Sequence, residues 1–457
     1  MNAGGVRALG LACVLGLSLG MSLGFAPQAQ AQNAGIGTVI NAPAALQELR
    51  GRQKQLFDQL IDKPDDLELM FEYAKVSIQL EDYEAAISTL ERMLIYRQDL
   101  SRVRLELAVA YFNLGSYAAS ELYFNQVLED DQTPDIVRER INRYKEVITF
   151  RTRKSAFSVL ANVGLTFSTN ATLGPQDNEV LLLGNVATLV AGQQESDFGS
   201  RVLVNVSHVY DLQQEDDDVW RTDASFFGLR YFNTDEGDLF FTRVRTGPRL
   251  SLDEKQFGPK MRPYIEGQYL VSEDRGLFAA FGLGAEVTDT LSPILSAYGD
   301  VGFRYRNYFR NEFSDEDAFS FYASGGLAYI PFRDLVLRGT GIFEIDEADG
   351  DQNSNVEVGL RLSGEYQYDS GFGWVDRKWS LSGFAEVRGR FFDEPDPVVD
   401  PTQTRRDIDV RGGLSHVFSL QQGFGIQVDV DGLYRASNIV NFDLDNISTT
   451  VSLQYRM

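Results

Sequence analysis

Charged side chains recur at every second position within otherwise apolar stretches of the C-terminal two thirds of the chain. A two-residue spacing places side chains on one face of an extended strand. Such a face offers either a charged path for a solute or arginine–carboxylate pairs that fill an enclosed interior. We expect the pairs, because neighbouring segments present both signs of charge. The candidate interior charges are Arg304, Arg306, Arg338, Arg361, Glu386, Arg388, Arg390 and Arg411.

Residues for catalysis or metal binding are scarce. His208 and His416 are the only histidines, and they fall on mostly apolar strand faces far apart in the sequence. No serine, histidine and acid combination has the context of a nucleophile elbow. The acidic segments FSDEDA, DEADGDQN and FDEPDPVVD lack the ligand spacing of a calcium-binding EF-hand loop. We therefore expect no enzyme and no cofactor. The histidines are predicted to be structural, near a lipid interface, and the acidic segments to be solvated loops.

Residues 1–31 have the features of a secretory signal peptide. One basic residue, Arg7, precedes an apolar stretch that ends at Phe25, and small residues near 29–31 fit a cleavage site. The stretch is too short for a membrane-spanning helix. The only cysteine, Cys13, lies in its middle, away from the position of a lipoprotein cysteine. After the signal there is no thiol for a disulfide or a zinc–thiolate site.

The formal net charge is −24, and from residue 155 onward there are 46 acidic and 25 basic residues. Most of the acidic excess therefore belongs to the second part of the chain. A nucleic-acid-binding protein needs a basic surface. The charge argues against nucleic acid as a partner.

Residues 44–150 show a helical pattern that repeats after 34 residues. LEDYEAAISTLERML is echoed by LGSYAASELYFNQVL, with Tyr83 and Tyr117 in register. Small residues recur at the same distance: Ala74 with Ala108, and Ala86 with Ser120. This is the period of tetratricopeptide repeats. We predict two repeats between a leading helix at 44–62 and a polar terminal helix, with Asp65 or Asp66 as the first cap.

From residue 155 the period changes to two, as in GIQVDVDGLYR, where apolar and polar residues alternate from Ile426 to Asp431. About 14 segments of this kind follow one another, an even number, as single-chain outer-membrane barrels have. A soluble sandwich core would not accept the charged faces, and a propeller would show a blade-length repeat. We predict an α + β multidomain chain: helical repeats, then an antiparallel transmembrane β-barrel at 155–457 in the outer membrane.

The final residues, NISTTVSLQYRM, alternate to the end. In a closed barrel this strand pairs with the first one, near SVLANVGLTFS, and lipid covers its apolar face. Tyr455 and Met457 resemble the C-terminal signal read by the barrel-assembly machinery, which usually ends in an aromatic residue. An even strand number places both the repeat domain and the C-terminus in the periplasm. Connections near 174–196, 310–316, 346–355 and 392–404 then face outward, and those near 289–292, 331–334 and 420–423 face the periplasm.

A signal peptide, a short tetratricopeptide domain and a barrel of about 14 strands together resemble the surface lipoprotein assembly modulator (Slam) family. The resemblance is carried by RLELAVAYFNLGSYAASELYFNQVLEDDQTPDIVRERINRY, running into FSVLANVGLTFSTNATLGP, where an exit with Asn and Gly follows the first strand. It covers nearly the whole chain after the signal. It implies a translocator that moves a client protein, often a lipoprotein, from periplasm to cell surface, with the helical domain receiving the client.

In the repeat template, one face of each first helix lines a concave groove. Helix 101–114 is apolar nearly all round, which leaves an apolar face either for a client or for packing by the leading helix or the barrel. Both alternatives are open at this point. The candidate groove residues are Phe71, Lys75, Ile78, Gln79, Leu105, Val109, Phe112 and Asn113.

The sequence thus predicts a non-enzymatic outer-membrane translocator. Its expected partners are a client protein or lipoprotein, outer-membrane lipids and the barrel-assembly machinery. The alternatives are an exopolysaccharide export porin and a general porin with a periplasmic repeat scaffold. Export porins usually carry many repeats, and an acidic barrel would repel an anionic polymer. A porin would conduct steadily, whereas a translocator would be mostly plugged.

Overall fold

The computed structural model describes residues 43–130, 132–189, 192–212, 218–253, 258–375 and 377–457. The predicted signal peptide lies outside these ranges. The chain divides into a helical unit that ends at Arg153 and a barrel unit that begins at Lys154. None of the described helices combines the length and apolarity needed to span a membrane.

Between residues 43 and 153 the helical unit shows six helices in the order that the repeat pattern predicts. They are α1 (Pro43–Asp62), α2 (Leu67–Gln79), α3 (Tyr83–Tyr96), α4 (Ser101–Leu114), α5 (Tyr117–Leu128) and α6 (Asp135–Arg151). Asp66 caps α2, because its carboxylate accepts hydrogen bonds from the backbone N–H groups of Glu68 and Leu69. Such a cap satisfies donors that the first turn of a helix leaves free.

Small residues at the repeat positions let paired helices approach closely. Ala86, Ala108 and Ser120 are completely buried. The hydroxyl of Ser120 donates to the carbonyl oxygen of Ala108 over 2.8 Å, which ties α5 to α4. The leading helix is joined to the first repeat through Gln53, whose amide donates to Ser77 and Asp82. The 34-residue period therefore reports real contacts between helices.

Fourteen strands close into an antiparallel barrel in which chain neighbours are also sheet neighbours. The strands of the unit are β1 (Ser155–Ser168), β2 (Glu179–Leu182), β3 (Asn185–Thr188), β4 (Asp197–Asp211), β5 (Val219–Tyr231), β6 (Leu239–Ser251), β7 (Lys260–Ser272), β8 (Arg275–Ser292), β9 (Leu295–Tyr308), β10 (Ala318–Phe332), β11 (Leu335–Ala348), β12 (Asn355–Tyr368), β13 (Trp379–Pro395), β14 (Thr404–Ser419), β15 (Phe424–Ser437) and β16 (Leu444–Arg456). Closure is between β1 and β16, from Leu160 opposite Arg456 to Ser168 opposite Ser448. The predicted pairing of the first and last strands is confirmed.

Two details differ from the sequence prediction. The turn expected near 289–292 lies instead at Pro293 and Ile294, because β8 stays paired with β9 as far as Ser292. Proline has no N–H to donate to a ladder and therefore fits the turn. The predicted outward connection near 174–196 contains a separate hairpin, β2–β3, that is not part of the barrel wall.

The pairing registers sort every strand into a lumen face and an outer face. On β12, for example, Glu357 and Arg361 point into the lumen, and Val358 and Leu360 point outward. We call the end where β1 begins and β16 ends the terminal end, and the opposite one the loop end. The connection after β1, residues 169–196, is the longest and lies at the loop end, and the connections after β8 and β10 at the terminal end are tight turns, as in the predicted topology. Other connections depart from that pattern, since residues 369–378 at the terminal end form a long connection and residues 273–274 at the loop end a short one.

Candidate functional site

All eight candidate interior charges face the lumen. Arg361, Glu386 and Arg411 lie side by side on β12, β13 and β14. Glu386 is almost completely buried, and it accepts from Arg361 over 3.0 Å and from Arg388 over 2.7 Å. Arg361 neutralises Glu386 from the adjacent strand, and Arg388 does so from the same strand.

The remaining candidates lie on β9, β11 and β13. Arg388 and Arg390 both donate to Glu357, over 2.7 and 2.5 Å. Further along, Arg304 pairs with Glu344 over 2.5 Å and Arg306 with Asp346 over 3.4 Å. Arg338 faces the lumen with Ala328 and Ser363 as its register neighbours.

A second group of interior charges was not singled out from the sequence. Arg245 contacts Glu266, Glu286 and Asp300 over 2.8, 2.6 and 2.9 Å. Its guanidinium lies 3.9 Å from the ring centre of Tyr264, whose hydroxyl donates to Asp300. Pro and Gly interrupt the alternation in this part of the chain. The sequence signal that could have identified these interior charges is the pair Arg243 and Arg245, which have the two-residue spacing of one strand face.

The lumen as a whole carries both signs in similar numbers. The described arginines that face it include Arg201, Arg221, Arg243, Arg245, Arg249, Arg262, Arg304, Arg306, Arg338, Arg361, Arg388, Arg390, Arg405, Arg411, Arg435 and Arg456. The described carboxylates that face it include Asp197, Asp211, Asp223, Glu266, Glu286, Asp300, Glu344, Asp346, Glu357, Glu365, Glu386, Asp407, Asp409, Asp429 and Asp431. The acidic excess of the barrel therefore lies mainly in connections and at strand ends. The expectation that an acidic barrel repels an anionic polymer does not hold for this lumen.

One wall of the lumen near the loop end is apolar. We call Phe227, Phe241, Leu270, Phe278 and Tyr308, which face the lumen on strands β5 to β9, the apolar wall. The 3₁₀ segment Asn311–Glu316, here the inner lid, adds Phe313 to this cluster, and the Phe313 side chain is 3% exposed.

A second group of connections, at the loop end of β13 to β16, is held together by hydrogen bonds and apolar contacts. The tip of the β2–β3 hairpin bonds to the connection after β13, from the N–H groups of Leu183 and Gly184 to the carbonyls of Val398 and Val399. Val399, Ile439 and Phe442 form a small buried cluster there with Leu181. The Arg405 guanidinium lies 3.4 Å from the ring centre of Phe442 and donates to Asp407, which links this cluster to the charged side chains of the lumen.

The exit from β1, which carries part of the family resemblance, is ordered by one side chain. Asn170 is completely buried. Its amide nitrogen donates to the carbonyls of Gly174 and Asp445, and its oxygen accepts from the N–H of Gly174. The Asn and Gly in this exit thus fold the start of the first connection back onto β16.

Aromatic side chains ring the outer face at the terminal end. His208 stacks on Phe157 at 4.4 Å, and His416 lies against Phe418 at 3.9 Å, on outward-facing positions. Tyr455 contacts Phe424 on the same face, and the backbone of Met457 exchanges hydrogen bonds with Val159. Aromatic belts of this kind mark the interfacial level of membrane barrels. The role of Tyr455 and Met457 in assembly stays a prediction.

In the helical unit, the candidate groove residues differ in exposure. Phe112 is 7% exposed and packs edge-on against Tyr144 at 4.9 Å, so its side chain belongs to the core. Gln79 and Asn113 are exposed. The half-buried members of the set are Phe71, Lys75, Ile78, Leu105 and Val109. A client role for this face stays a prediction. Phe112 is a core residue and contributes to this face only by packing underneath its exposed side chains.

A family model, the tetratricopeptide repeat, matches residues 78–138. That segment comprises α3 to α5 and the start of α6, so the helical unit carries tetratricopeptide-type repeats. No curated protein matches the chain.

Solved structures that resemble the barrel include three outer-membrane proteins. The match to a bacterial polysaccharide outer membrane secretin has 8% sequence identity and a TM-score of 0.33, and it covers 65% of this chain and 98% of the secretin chain. An anion-selective porin from Comamonas acidovorans has 10% identity, a TM-score of 0.34 and coverages of 66% and 99%. An outer membrane channel from Pseudomonas putida F1 has 14% identity, a TM-score of 0.36 and coverages of 67% and 98%. At these scores the likenesses carry no argument about cargo.

Proposed function

We propose that this chain is an outer-membrane translocator that delivers a client protein, of the surface-lipoprotein class, from periplasm to cell surface. The observation that carries the proposal is the direct succession of a tetratricopeptide helical unit and a closed barrel. Only residues 152–154 separate α6 from β1. Repeats of this type present concave surfaces that bind other proteins. A passive pore for small solutes has no need of such a module.

The barrel has the surface of a membrane-spanning one. Its outer face is apolar along the strands, with residues such as Leu360, Val387 and Val410 half exposed, while the lumen is charged. Strands in hydrocarbon must satisfy all backbone groups, and only a closed sheet does this. With fourteen strands, the chain's end returns to the face from which β1 entered. In an outer membrane that face is the periplasm, where the helical unit meets a secreted client.

Polysaccharide export is the second candidate. The observation in its favour is the lumen itself, which presents arginines and carboxylates in balance rather than a net negative surface. An anionic polymer would therefore not be excluded by charge. The short repeat array still favours a protein client, since only about two repeats are present.

The test is surface exposure in isogenic cells with and without this chain. Proteins accessible on intact cells are cleaved by a protease and identified, and periplasmic contents are measured in parallel. The proposal predicts that one or a few proteins leave the surface yet persist in the periplasm. Complementation with the full chain should restore them. Unchanged surface proteins with a loss of surface polysaccharide would replace the proposal by the second candidate.

A further inference from the structure

The apolar wall is unusual for the inside of a membrane barrel, because water-filled lumens are polar. Phe227, Phe241 and Phe278 point inward from different strands and bury one another. A β-bulge between β7 and β8 adds Leu277, which is completely buried in the same cluster. An apolar surface of this extent on the inside of a barrel usually has a partner.

In the structure that partner is the inner lid. Phe313 enters the cluster with its ring centre 6.1 Å from that of Tyr308. The lid is tethered on both flanks: Arg310 donates to the carbonyl of Ser272 over 2.7 Å, and Asp317 accepts from the N–H of Tyr308 over 2.6 Å. A connection between two strands therefore supplies the ring that covers the apolar wall.

The other side of the lumen near the loop end is charged. Arg388, Arg390 and Glu357 lie there, each almost completely buried. Arg435 and Asp409 continue this charged wall on β15 and β14. A lumen with one apolar and one charged side matches an extended polypeptide, whose successive side chains point to opposite sides. Apolar side chains would face Phe278 while polar ones face Glu357.

We propose that the apolar wall is a binding subsite for apolar side chains of an extended client polypeptide, and that Phe313 occupies this subsite in the resting state. The proposal rests on the proposed function and specifies its substrate as an extended amphipathic segment. Movement of the inner lid removes Phe313 and exposes the subsite. An incoming aromatic or aliphatic side chain then restores the lost apolar contacts.

The experiment measures the affinity of fluorescently labelled peptides for the purified full chain in lipid nanodiscs. The probes are two short glycine–serine peptides that differ at one central residue, Phe or Ser. The variant Phe313→Ser removes the resident ring. The matched control is Phe309→Ser, because Phe309 is on the same connection but is 51% exposed and packs against Tyr269. Migration of the unheated, folded barrel on a gel confirms that each variant has assembled.

In Phe313→Ser we expect the Phe peptide to bind about tenfold more tightly than the Ser peptide, as burial of an aromatic ring allows. Wild type and Phe309→Ser should treat the two peptides alike, and Phe313→Leu should resemble wild type. Phe278→Ser combined with Phe313→Ser should abolish the discrimination. If Phe313→Ser does not assemble, the same comparison is made with Phe313→Ala.

Equal affinities of the two peptides for the assembled Phe313 variant would overturn the proposal. Discrimination that persists after Phe278→Ser would also overturn it, since the ring would then bind elsewhere. The surface-exposure assay separates this result from the proposed function. Unchanged surface proteins together with peptide discrimination would leave the subsite in place and remove the export role.

Discussion

Arg388 Nη1 lies 2.7 Å from Glu357 Oε1 inside the barrel, and neither side chain is more than about one twentieth exposed. Arg390 contacts the other oxygen of the same carboxylate. One acid thus holds two cations on a neighbouring strand. Removal of a carboxylate from water costs free energy, and in a buried ion pair the attraction to the cation offsets that cost. If the cations are removed, the buried carboxylate still bears the desolvation cost and nothing offsets it.

Neutralising both cations, Arg388→Gln with Arg390→Gln, should therefore destabilise the barrel by about 3–5 kcal/mol. Urea unfolding in detergent measures this loss. Adding Glu357→Gln should recover much of it, because no unpaired charge is left. Arg333→Gln, in an exposed turn, is the matched control and should have no measurable effect. A double variant as stable as wild type would show that these pairs do not hold the wall.

Removing the ring of Phe112 should open the helical unit. The side chain packs between Tyr117 and Tyr144, and Phe→Ala in a core costs about 3–5 kcal/mol. Limited proteolysis of the full chain should cut Phe112→Ala within α4 to α6 much faster than wild type. Ile95→Ala, at a position 79% exposed, should be cut at the wild-type rate. Equal cleavage rates for the two variants would show that the Phe112 side chain lies in the open groove and not in the core.

The period-two alternation predicted the barrel because the two faces of each strand meet different environments, lipid on the outside and the polar lumen on the inside. Lipid selects apolar residues such as Leu360 on the outside, and the lumen accepts charges such as Arg361 on the inside. The 34-residue period predicted Ala108 and Ser120 for a similar reason, since two helices touch there. Contacts between distant connections have no periodic signal. The sequence therefore did not reveal that Phe313 lies in the lumen or that the β2–β3 hairpin packs on the last connections.

The inner lid should loosen as pH rises. Burial raises the pKa of Glu316 from its ordinary 4.5 to about 7, although Arg306, a hydrogen bond from Tyr308 and Arg405 oppose this shift and Asp315 adds to it. Between pH 4.5 and about 7, the Glu316 carboxyl is protonated while the lid is seated and loses its proton when the lid is displaced. Stability of the seated lid is thus greatest below about pH 4.5 and falls as pH rises through 7.

The expected loss is up to about 3 kcal/mol between pH 4.5 and 7.5. Hydrogen exchange of the amides in 311–317, corrected for the intrinsic pH dependence of exchange, measures it. Glu316→Gln should make the opening of the lid independent of pH over this range. A variant with the wild-type pH slope would assign the effect to another group.

Closure of the barrel should depend on Gly164. On β1 this residue faces Ser452 of β16, and a Cβ atom there would lie 2.3 Å from the carbonyl oxygen of Val451. Backbone atoms must move to admit a side chain, and overpacking of this kind costs about 1–3 kcal/mol. Gly164→Ala should therefore lower the temperature at which the folded barrel converts to the unfolded form on a gel. Gly267→Ala, where nothing lies within 4 Å of the added atom, is the matched control and should convert at the wild-type temperature. Should both variants convert at the same temperature, the contact between the first and last strands would be looser than this register requires.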